Sequence, residues 1–532
     1  PGKEQHVKRW RMLFVALTVA VAPVRIAAGA TLEDLEKQLQ GVQQQIDQMK
    51  QEKQRQDQKL REMETAHTAQ KEDFTRETAT LREQTRRVSS ELLDRVRIGG
   101  YGSVRFETNN LKEQNNTFTF RRLVLTADVK PADPMRVYLE LELERFTQIE
   151  IERKTRAEAG GLRVSEAIEG NDGSEISLEQ AWFQYDLYDW LKFRTGQVLV
   201  PLGRFNINHD DNRWNIARRS LVDRGVPVLP VKAAWPELGA GFLGDIPMGD
   251  FGKLTYQAYV VNGVALDAEV EKKVQSRNPD THKLELGAEF KPSRGTAKLD
   301  SKNAKAVATR VAWSPLPGQE IAGSFYYGRY TPQFLENESL YSFAVDGLTT
   351  IGPFEIEAEY VNTHFRNVNR VARSFAKTVG QREAEFEDLP SNIEISVEFE
   401  LAELARNKHG FWVEGRYRFW PEFLTNTVFG KYFENPHLVG IIRGEQVWLN
   451  GIVKEADFNG GVLTNFVQEN RQVYRITTGL AYRPTPLVVF QLAYEYTKTN
   501  GGRSLADVTN FLPAQAGEDH AHTALLGVAF GF

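Results

Sequence analysis

Basic side chains are concentrated in a polar stretch of the chain, residues 199–236. Its five arginines are the first candidates for a site that binds anions: Arg204, Arg213, Arg218, Arg219 and Arg224. A guanidinium group can bind a phosphate or a carboxylate through two parallel hydrogen bonds. The stretch has six cations and three carboxylates, a net charge of +3, and its other charged residues are Lys232, Asp210, Asp211 and Asp223. Either the arginines face a passing anion, or they pair with these aspartates in a solvated loop, and the sequence leaves both interpretations open.

A second set of charged residues occurs at every other position. In residues 137–144 apolar side chains alternate with Glu140, Glu142 and Glu144, and in residues 411–420 they alternate with Arg416 and Arg418. Successive side chains of a β-strand point to opposite faces, so each set lies on one face of a strand. We predict that all five face a polar interior. Because this interior would carry both signs of charge, it suits a general solute pathway as well as an anion pathway.

The sequence predicts neither catalysis nor a cofactor. It has no cysteine, which excludes covalent haem attachment, and its histidines have no serine and acid at the spacing of a catalytic triad. His209-Asp210-Asp211 and residues 518–522 (EDHAH) have types that bind divalent cations, but they lack the spacing of a defined site. We therefore predict no metal site and interpret both as solvated. The net charge of −5, without a dense basic face, argues against a nucleic-acid partner.

The elements that must position these residues change in character at Leu93. After it, stretches such as 354–360 and 488–497 alternate apolar and polar side chains. Short connections with Pro or Gly are predicted at 130–134, 188–189, 246–252, 314–319, 349–353, 420–422 and 483–486, and long polar ones at 108–117, 147–174, 199–236, 263–303, 331–338, 365–408, 434–470 and 498–520. Eight long and seven short connections predict an all-β transmembrane barrel of about sixteen antiparallel strands. Residues 283–290 and 393–400 are either strands or hairpins within loops.

The segments before Leu93 differ from the barrel pattern. Residues 1–30 combine Lys8, Arg9 and Arg11, a short apolar run and an A-x-A site at 28–30, an order that predicts a cleaved signal peptide. Residues 31–92 contain apolar side chains spaced by three and four: Leu32, Leu35, Leu39, Val42, Ile46, Met49, Leu60, Met63, Phe74, Leu81 and Val88. A repeat of about 3.5 residues held over this length predicts an α-helical coiled coil.

The last residues of the sequence alternate as well. Leu526, Val528, Phe530 and Phe532 share one face, and Gly527 lies on the other. The G-x-x-F-x-F ending formed by Gly527, Phe530 and Phe532 is similar to the signal by which the outer-membrane assembly machinery recognises barrels. Together with the export signal, it predicts a location in the bacterial outer membrane, with the coiled coil in the periplasm.

Residues 191–205, LKFRTGQVLVPLGRF, resemble the G-Q-x-x-x-P-x-G element of the phosphate-selective porin O and P family. Three later stretches fall in the order that this family shows: 256–263 (YQAYVVNG), Asp346-Gly347 with 357–361, and 410–421 (GFWVEGRYRFWP). The resemblance covers most of residues 95–532 and implies a sixteen-stranded diffusion channel that assembles as a homotrimer. It does not establish phosphate as the solute. The long coiled coil is not part of the typical family pattern.

These observations predict three segments, namely a signal peptide in 1–30, a periplasmic coiled coil in 31–92 and an outer-membrane β-barrel porin in 93–532. The expected function is passive diffusion of small hydrophilic solutes or ions, favouring anions if the five arginines narrow the pore. The expected partners are outer-membrane lipid, further copies of the chain, the barrel-assembly machinery and, through the stalk, peptidoglycan. The alternative function is a structural anchor whose coiled coil tethers the outer membrane to the cell wall.

Overall fold

The structure of the protein is a computed structural model. It describes residues 32–112, 114–144, 149–158, 161–170, 175–226, 228–274, 283–294, 304–333, 335–386, 393–399, 404–500, 504–509, 512 and 514–532. The predicted signal peptide, residues 1–30, lies outside the described residues. The chain divides into two compact units, residues 1–91 and 92–532.

The described residues of the first unit belong to one long helix, α1, which runs from Leu32 to Arg95 and has 64 residues. At 1.5 Å per residue it is about 96 Å long. The absence of proline allows this length, and glutamine, glutamate, lysine and arginine favour it through their helix propensity. Its predicted seam is exposed at Leu39, Val42, Ile46, Met49, Met63 and Phe74. The helix is therefore confirmed, whereas its pairing with other copies stays a prediction.

None of the helices in the described part of the chain is both long enough and apolar enough to cross a membrane.

The second unit is built almost entirely of strands. In chain order the strands of the described residues are β1 Val96–Asn109, β2 Thr117–Ala132, β3 Met135–Glu144, β4 Ile149–Glu158, β5 Gly161–Gly170, β6 Glu175–Tyr188, β7 Leu191–Leu199, β8 Pro236–Pro247, β9 Lys253–Val261, β10 Ala265–Val274, β11 Lys283–Ser293, β12 Ala306–Ser314, β13 Gln319–Arg329, β14 Ser339–Ile351, β15 Phe354–Phe365, β16 Glu394–Phe399, β17 Ala405–Phe419, β18 His437–Asn459, β19 Val462–Thr485, β20 Val488–Thr499 and β21 His520–Gly531. Two further helices are α2, Arg204–Ile207, and α3, Val368–Phe386.

Sixteen of these strands form one closed antiparallel barrel, in which each strand pairs with the next barrel strand along the chain. The barrel closes where β21 pairs with β1, for example Phe530 opposite Gly102. The predicted sixteen-stranded antiparallel barrel is therefore confirmed.

The alternation in the sequence separates the two faces of the barrel wall. On β3, Leu139 is 44% exposed on the outer face, whereas its neighbour Glu140 is 2% exposed on the inner face. The same division holds on β15, where Ile356 is exposed and Glu357 is buried. The outer face is thus apolar and the inner face is charged, which is the reverse of a soluble protein.

Most connections follow the prediction, with short turns at one end of the barrel and long segments at the other. The predicted loop 434–470 is wrong, because β18 and β19 have 23 and 24 residues and continue as a paired ribbon as far as Asn459 and Val462. Three shifts of register within this ribbon interrupt the alternation of its side chains, so its sequence looks like a loop. The predicted short turn 420–422 extends instead over 420–436 and includes a single helical turn, Glu422–Leu424.

The long connections contain strands of their own. β4 and β5 pair as a separate hairpin. β10 pairs with β11, β11 runs parallel to β16, and β16 pairs with the ribbon part of β18. Residues 283–290 and 393–400, which the sequence left undecided, thus form strands within loops. Helix α3 packs against this layer through its buried face, Val368, Val371, Ala372, Phe375 and Ala376.

Candidate functional site: the barrel interior

The connection between β7 and β8, residues 200–235, lies inside the barrel and is called loop L3 below. Its base is closed by a hydrogen bond from the Val200 amide to the Trp235 carbonyl, at 3.0 Å. Apolar side chains on L3 are almost fully buried, among them Leu202, Leu221 and Val228. A solvated loop would leave them in water, so their burial helps to explain why L3 packs inward.

An aromatic cluster fixes the first half of L3 to the wall. Phe205 stacks on Trp214 with ring centroids 4.2 Å apart, and both rings meet Trp412 of β17 edge-on at 6.0 and 5.7 Å. The guanidinium groups of Arg416 and Arg443 lie 5.4 and 5.5 Å from the Trp214 ring centre. Such aromatic and cation–π contacts hold the loop in one position.

Arg204 connects L3 to the wall formed by β13 and β15. Its guanidinium group binds Glu357 and donates to Glu320 at 2.7 Å. The backbone amides of Arg204 and Phe205 donate to the carboxylate of Glu359 at 3.0 and 2.8 Å. Arg204 is therefore engaged by wall glutamates rather than by the aspartates of its own loop.

Arg218 makes the equivalent contact on the opposite part of the wall. It binds Glu107 of β1 and Glu495 of β20, each at 2.5 Å. The backbone carbonyl of Arg218 accepts a hydrogen bond from Arg443 at 3.2 Å, and that of Arg219 accepts one from Arg475 at 2.7 Å. L3 therefore crosses the interior and is held at both sides.

Arg219 stabilises the turn of L3 itself. Its guanidinium group donates to the carbonyls of Ala233 and His209 at 2.8 and 3.0 Å. Asp211 accepts from Ser103 of β1 at 2.6 Å and lies 3.5 Å from Arg122. Burial alone would raise the pKa of Asp211, but the surrounding arginines lower it by more, so this carboxylate stays ionised.

Arg213 and Arg224 are the remaining two predicted arginines, and the structure describes the side chain of Arg213 alone. The side chain of Arg213 is 59% exposed and pairs with Asp210 at 3.0 Å, which is the local pairing that a solvated loop predicts. The side chain of Arg224 lies outside the described residues.

The predicted wall residues lie on the inner face of their strands. Glu140, Glu142 and Glu144 are buried, and Arg416 is surrounded by Glu355, Glu357 and Glu414. Arg418, two residues further along β17, lies on the same face as Arg416, but its side chain is exposed near the short-turn end of the barrel.

Several buried wall arginines were missed from the sequence, among them Arg122 and Arg443. Arg122 of β2 lies 2.8 Å from Glu142, and Arg443 of β18 donates to Glu414 at 2.6 Å. Arg443 and Glu414 are direct cross-strand neighbours. Such pairs can be predicted only when the register between neighbouring strands is known, and alternation of side chains alone does not give that register.

The residues of the predicted assembly signal lie at the closure of the barrel. Gly527 faces inward, and a Cβ atom there would stand 2.7 Å from the Cβ atom of Ala217 in L3. Phe530 and Phe532 lie on the outward-facing side of β21 and of the residue that follows it. The backbone groups of Phe532 form two hydrogen bonds with those of Gly100. Gly527 therefore has a packing role beside its predicted role in assembly.

A cavity of about 580 Å³ lies between L3, strands β1 to β3 and the loops before β2 and β21. Its neutral lining includes Asn109, Asn115, Thr117 and Thr119. Its charged lining consists of Arg105, Arg121, Arg218, Arg219, Lys232, Glu107 and Glu144. Five cations against two carboxylates give this surface, called the anion cavity below, a net charge of +3.

Comparison with known proteins leaves the family open. No model of a known protein family matches the chain, so the resemblance to the phosphate-selective porin O and P family stays a prediction. A protein of Aquifex aeolicus described as uncharacterized is 24% identical over 220 residues, which are 41% of this chain and 39% of that protein. The match thus spans less than half of that relative.

Several solved outer-membrane proteins are similar to the barrel, and each alignment covers 82% of this chain. The anion-selective porin from Comamonas acidovorans is 10% identical to this chain, the alignment covers 99% of that porin, and the TM-score is 0.44. OmpF of Salmonella typhi, in complex with daunomycin, is 10% identical, is covered to 97% and has a TM-score of 0.43. The channel DcaP of Acinetobacter baumannii is 9% identical, is covered to 97% and has a TM-score of 0.40. At this identity and at these scores the likeness does not decide what the barrel does.

Proposed function

We propose that this chain is an outer-membrane porin, a passive channel for small hydrophilic solutes that favours anions. The observation that carries the proposal is the anion cavity beside L3, inside a closed barrel of sixteen strands. Barrels of this strand number enclose an aqueous lumen when nothing fills them. Here L3 occupies part of that lumen, and the anion cavity lies in the space beside it.

The outer surface supports a position within a membrane. Tyr188 and Trp190 stack at the short-turn end and are exposed, and Tyr327 and Tyr494 are exposed nearer the opposite end. Between these levels lie outward apolar side chains, for example Leu492 and Phe325. An apolar band between two aromatic girdles is the outer surface of a transmembrane barrel.

The charge of the cavity supports the preference for anions. A water-filled passage whose wall carries a net charge of +3 concentrates anions and repels cations of the same size. Pairing reduces the effect of both signs of charge, because Arg416 binds Glu355 and Glu357 and Arg218 of the lining binds Glu107 and Glu495. The proposal therefore rests on the net charge of the groups that line the cavity. Phosphate is one candidate solute within this class.

Liposome swelling tests the proposal. Purified protein in vesicles should admit a small monovalent organic anion faster than a neutral or a cationic solute of equal size. Swelling that does not exceed that of protein-free vesicles would reject the channel. A faster rate for the cation would reject the anion preference alone.

The exposed seam of α1 supports an accompanying role as an oligomerising stalk. Its uncovered residues at heptad spacing, such as Leu39, Val42 and Ile46, would be buried if three helices packed together. A homotrimer with a periplasmic stalk is the assembly proposed. A tether to peptidoglycan through this stalk is the alternative function, and it is compatible with an open barrel.

A further inference from the structure

A buried cluster inside the barrel has the donor types of a metal site. Glu140 of β3, Glu179 of β6 and His209 of L3 each offer one ligand atom, and these three atoms lie within 4.8 Å of one another. All three side chains are almost completely buried. None of them lines the anion cavity, so this cluster, called the β3–β6–L3 cluster, is a separate feature of the interior.

The hydrogen bonds of His209 determine which ring nitrogen can act as a ligand. Nδ1 lies 3.0 Å from the backbone carbonyl oxygen of Asn206, which can only accept, so Nδ1 carries a proton and donates it. Nε2 lies 3.0 Å from Oε2 of Glu179. Nε2 is therefore the ring nitrogen that is turned towards the carboxylates of the cluster. An Nδ1–H bond to a carbonyl is the support that metal-ligating histidines commonly have.

A β-bulge supplies the second carboxylate. Glu140 pairs with Gln180, but the next residue of β3, Leu141, pairs with Leu178, so Glu179 is an extra residue of β6. Bulges re-aim side chains and are frequent next to functional sites. The Gln180 amide donates to Glu140 and in turn accepts from Trp182 at 3.2 Å. This chain of hydrogen bonds orients the first carboxylate, as outer-shell groups do at metal sites.

The charge of the cluster suits a divalent ion. Two ionised carboxylates and a neutral imidazole carry a charge of −2, and one divalent ion bound by all three brings it to zero. Other charged groups lie beside the cluster, because Asp210 is 3.9 Å from Nε2 of His209 and Glu142 of the adjoining wall is 2.8 Å from Arg122.

We propose that the β3–β6–L3 cluster binds a first-row divalent metal ion of the Zn²⁺ class and that this ion clamps L3 to the wall. Imidazole and carboxylate donors suit such ions, whereas Ca²⁺ and Mg²⁺ prefer oxygen donors alone. Ligand atoms about 2.1 Å from a tetrahedral Zn²⁺ stand about 3.4 Å apart. The His209–Glu179 pair, at 3.0 Å, is slightly closer than this, and the three ligand atoms, which lie within 4.8 Å of one another, reach that spacing by side-chain adjustment. The sequence did not reveal the site, because His209-Asp210-Asp211 has no metal-site spacing and both glutamates come from other strands.

Metal content of the purified full-length protein tests the proposal without reference to transport. Wild type is incubated with excess Zn²⁺ in detergent, desalted and assayed by mass spectrometry, beside His209→Gln and Glu179→Gln. The matched control is His520→Gln, which removes an exposed histidine paired with Asp519 at 2.7 Å. We expect one Zn²⁺ per chain in wild type and control, and a retained zinc content lower by at least about tenfold in the two cluster variants. No retained zinc in wild type, or equal zinc in His209→Gln, would overturn the proposal.

A second measurement on wild type alone covers the case in which a cluster variant fails to fold. X-ray absorption of the zinc-loaded protein should show nitrogen and oxygen ligands with the outer-shell scattering of one imidazole. A spectrum without imidazole scattering would place the ion elsewhere and overturn the assignment.

Discussion

Lys232 of the anion cavity provides a quantitative test of the electrostatics. A sphere with the cavity's volume of about 580 Å³ has a radius of about 5 Å, so an ion at its centre lies about that far from the lining. One unit charge at about 5 Å changes the energy of a monovalent ion by about 0.8 kcal/mol in bulk water. At about 0.1 M salt, with a Debye length of about 10 Å, roughly 0.5 kcal/mol remains.

Lys232→Gln removes one of the five cations from the lining. The anion loses about 0.5 kcal/mol and the cation gains as much, so the anion-to-cation permeability ratio should fall about fivefold. Lys232→Glu changes the charge by two units, and the fall should be roughly twenty-five-fold. The assay is the reversal potential in a planar bilayer under a salt gradient.

The matched control is Lys253→Gln, because Lys253 pairs with Asp245 at 3.2 Å and does not line the cavity. Its reversal potential should equal that of wild type. A conducting Lys232→Glu channel with the wild-type reversal potential would refute the assignment of the anion cavity as the solute path.

Three further changes test other parts of the structure. Trp214→Ala removes the stacking partner of Phe205 and frees the first half of L3, so single-channel conductance should rise. An unchanged conductance would contradict the anchoring role of the aromatic cluster. Arg218→Ala leaves Glu107 and Glu495 buried without the cation that they share. The free energy of unfolding of the micellar protein, measured by urea titration, should therefore fall by about 3 kcal/mol. An unchanged free energy of unfolding would contradict the described ion pairs. Ile46→Asp places a charge on the exposed seam of α1 and should dissociate the oligomer in analytical ultracentrifugation, whereas an intact oligomer would reject the coiled coil as its cause.

Alternation of side chains was sufficient to predict the barrel. On β3 and β15 the glutamates and the aliphatic residues take the faces that the period of two assigns to them, as Glu140 and Leu139 do. Counting connections was also sufficient for the number of strands. It failed at 434–470, because the register of β18 and β19 shifts between Leu449 and Ile452, between Val453 and Glu455 and between Asp457 and Phe458, and each shift interrupts the alternation.

The sequence left open whether residues 199–236 narrow the pore or form a solvated loop, and the contacts of L3 could not be predicted. Arg218 binds Glu107 and Glu495, which are 111 and 277 residues away in the chain, so no local pattern connects them. The metal cluster depends on a single extra residue in β6, Glu179, and one shift in register places it inside the barrel. Contacts of this kind follow from the closure of the barrel and from the bulge in β6. The spacing of residue types along the sequence predicts neither of these features.

Conductance of the wild-type protein tests the central claim most directly. Purified protein is inserted into planar bilayers under a potassium chloride gradient, and the current steps and the reversal potential are recorded. An open anion-favouring porin predicts discrete steps, in groups of three for a trimer, and a reversal potential of the sign that chloride selectivity gives. Correctly folded protein that produces no steps would contradict the channel, and a reversal potential of the opposite sign would contradict the assignment of the anion cavity as its selective part.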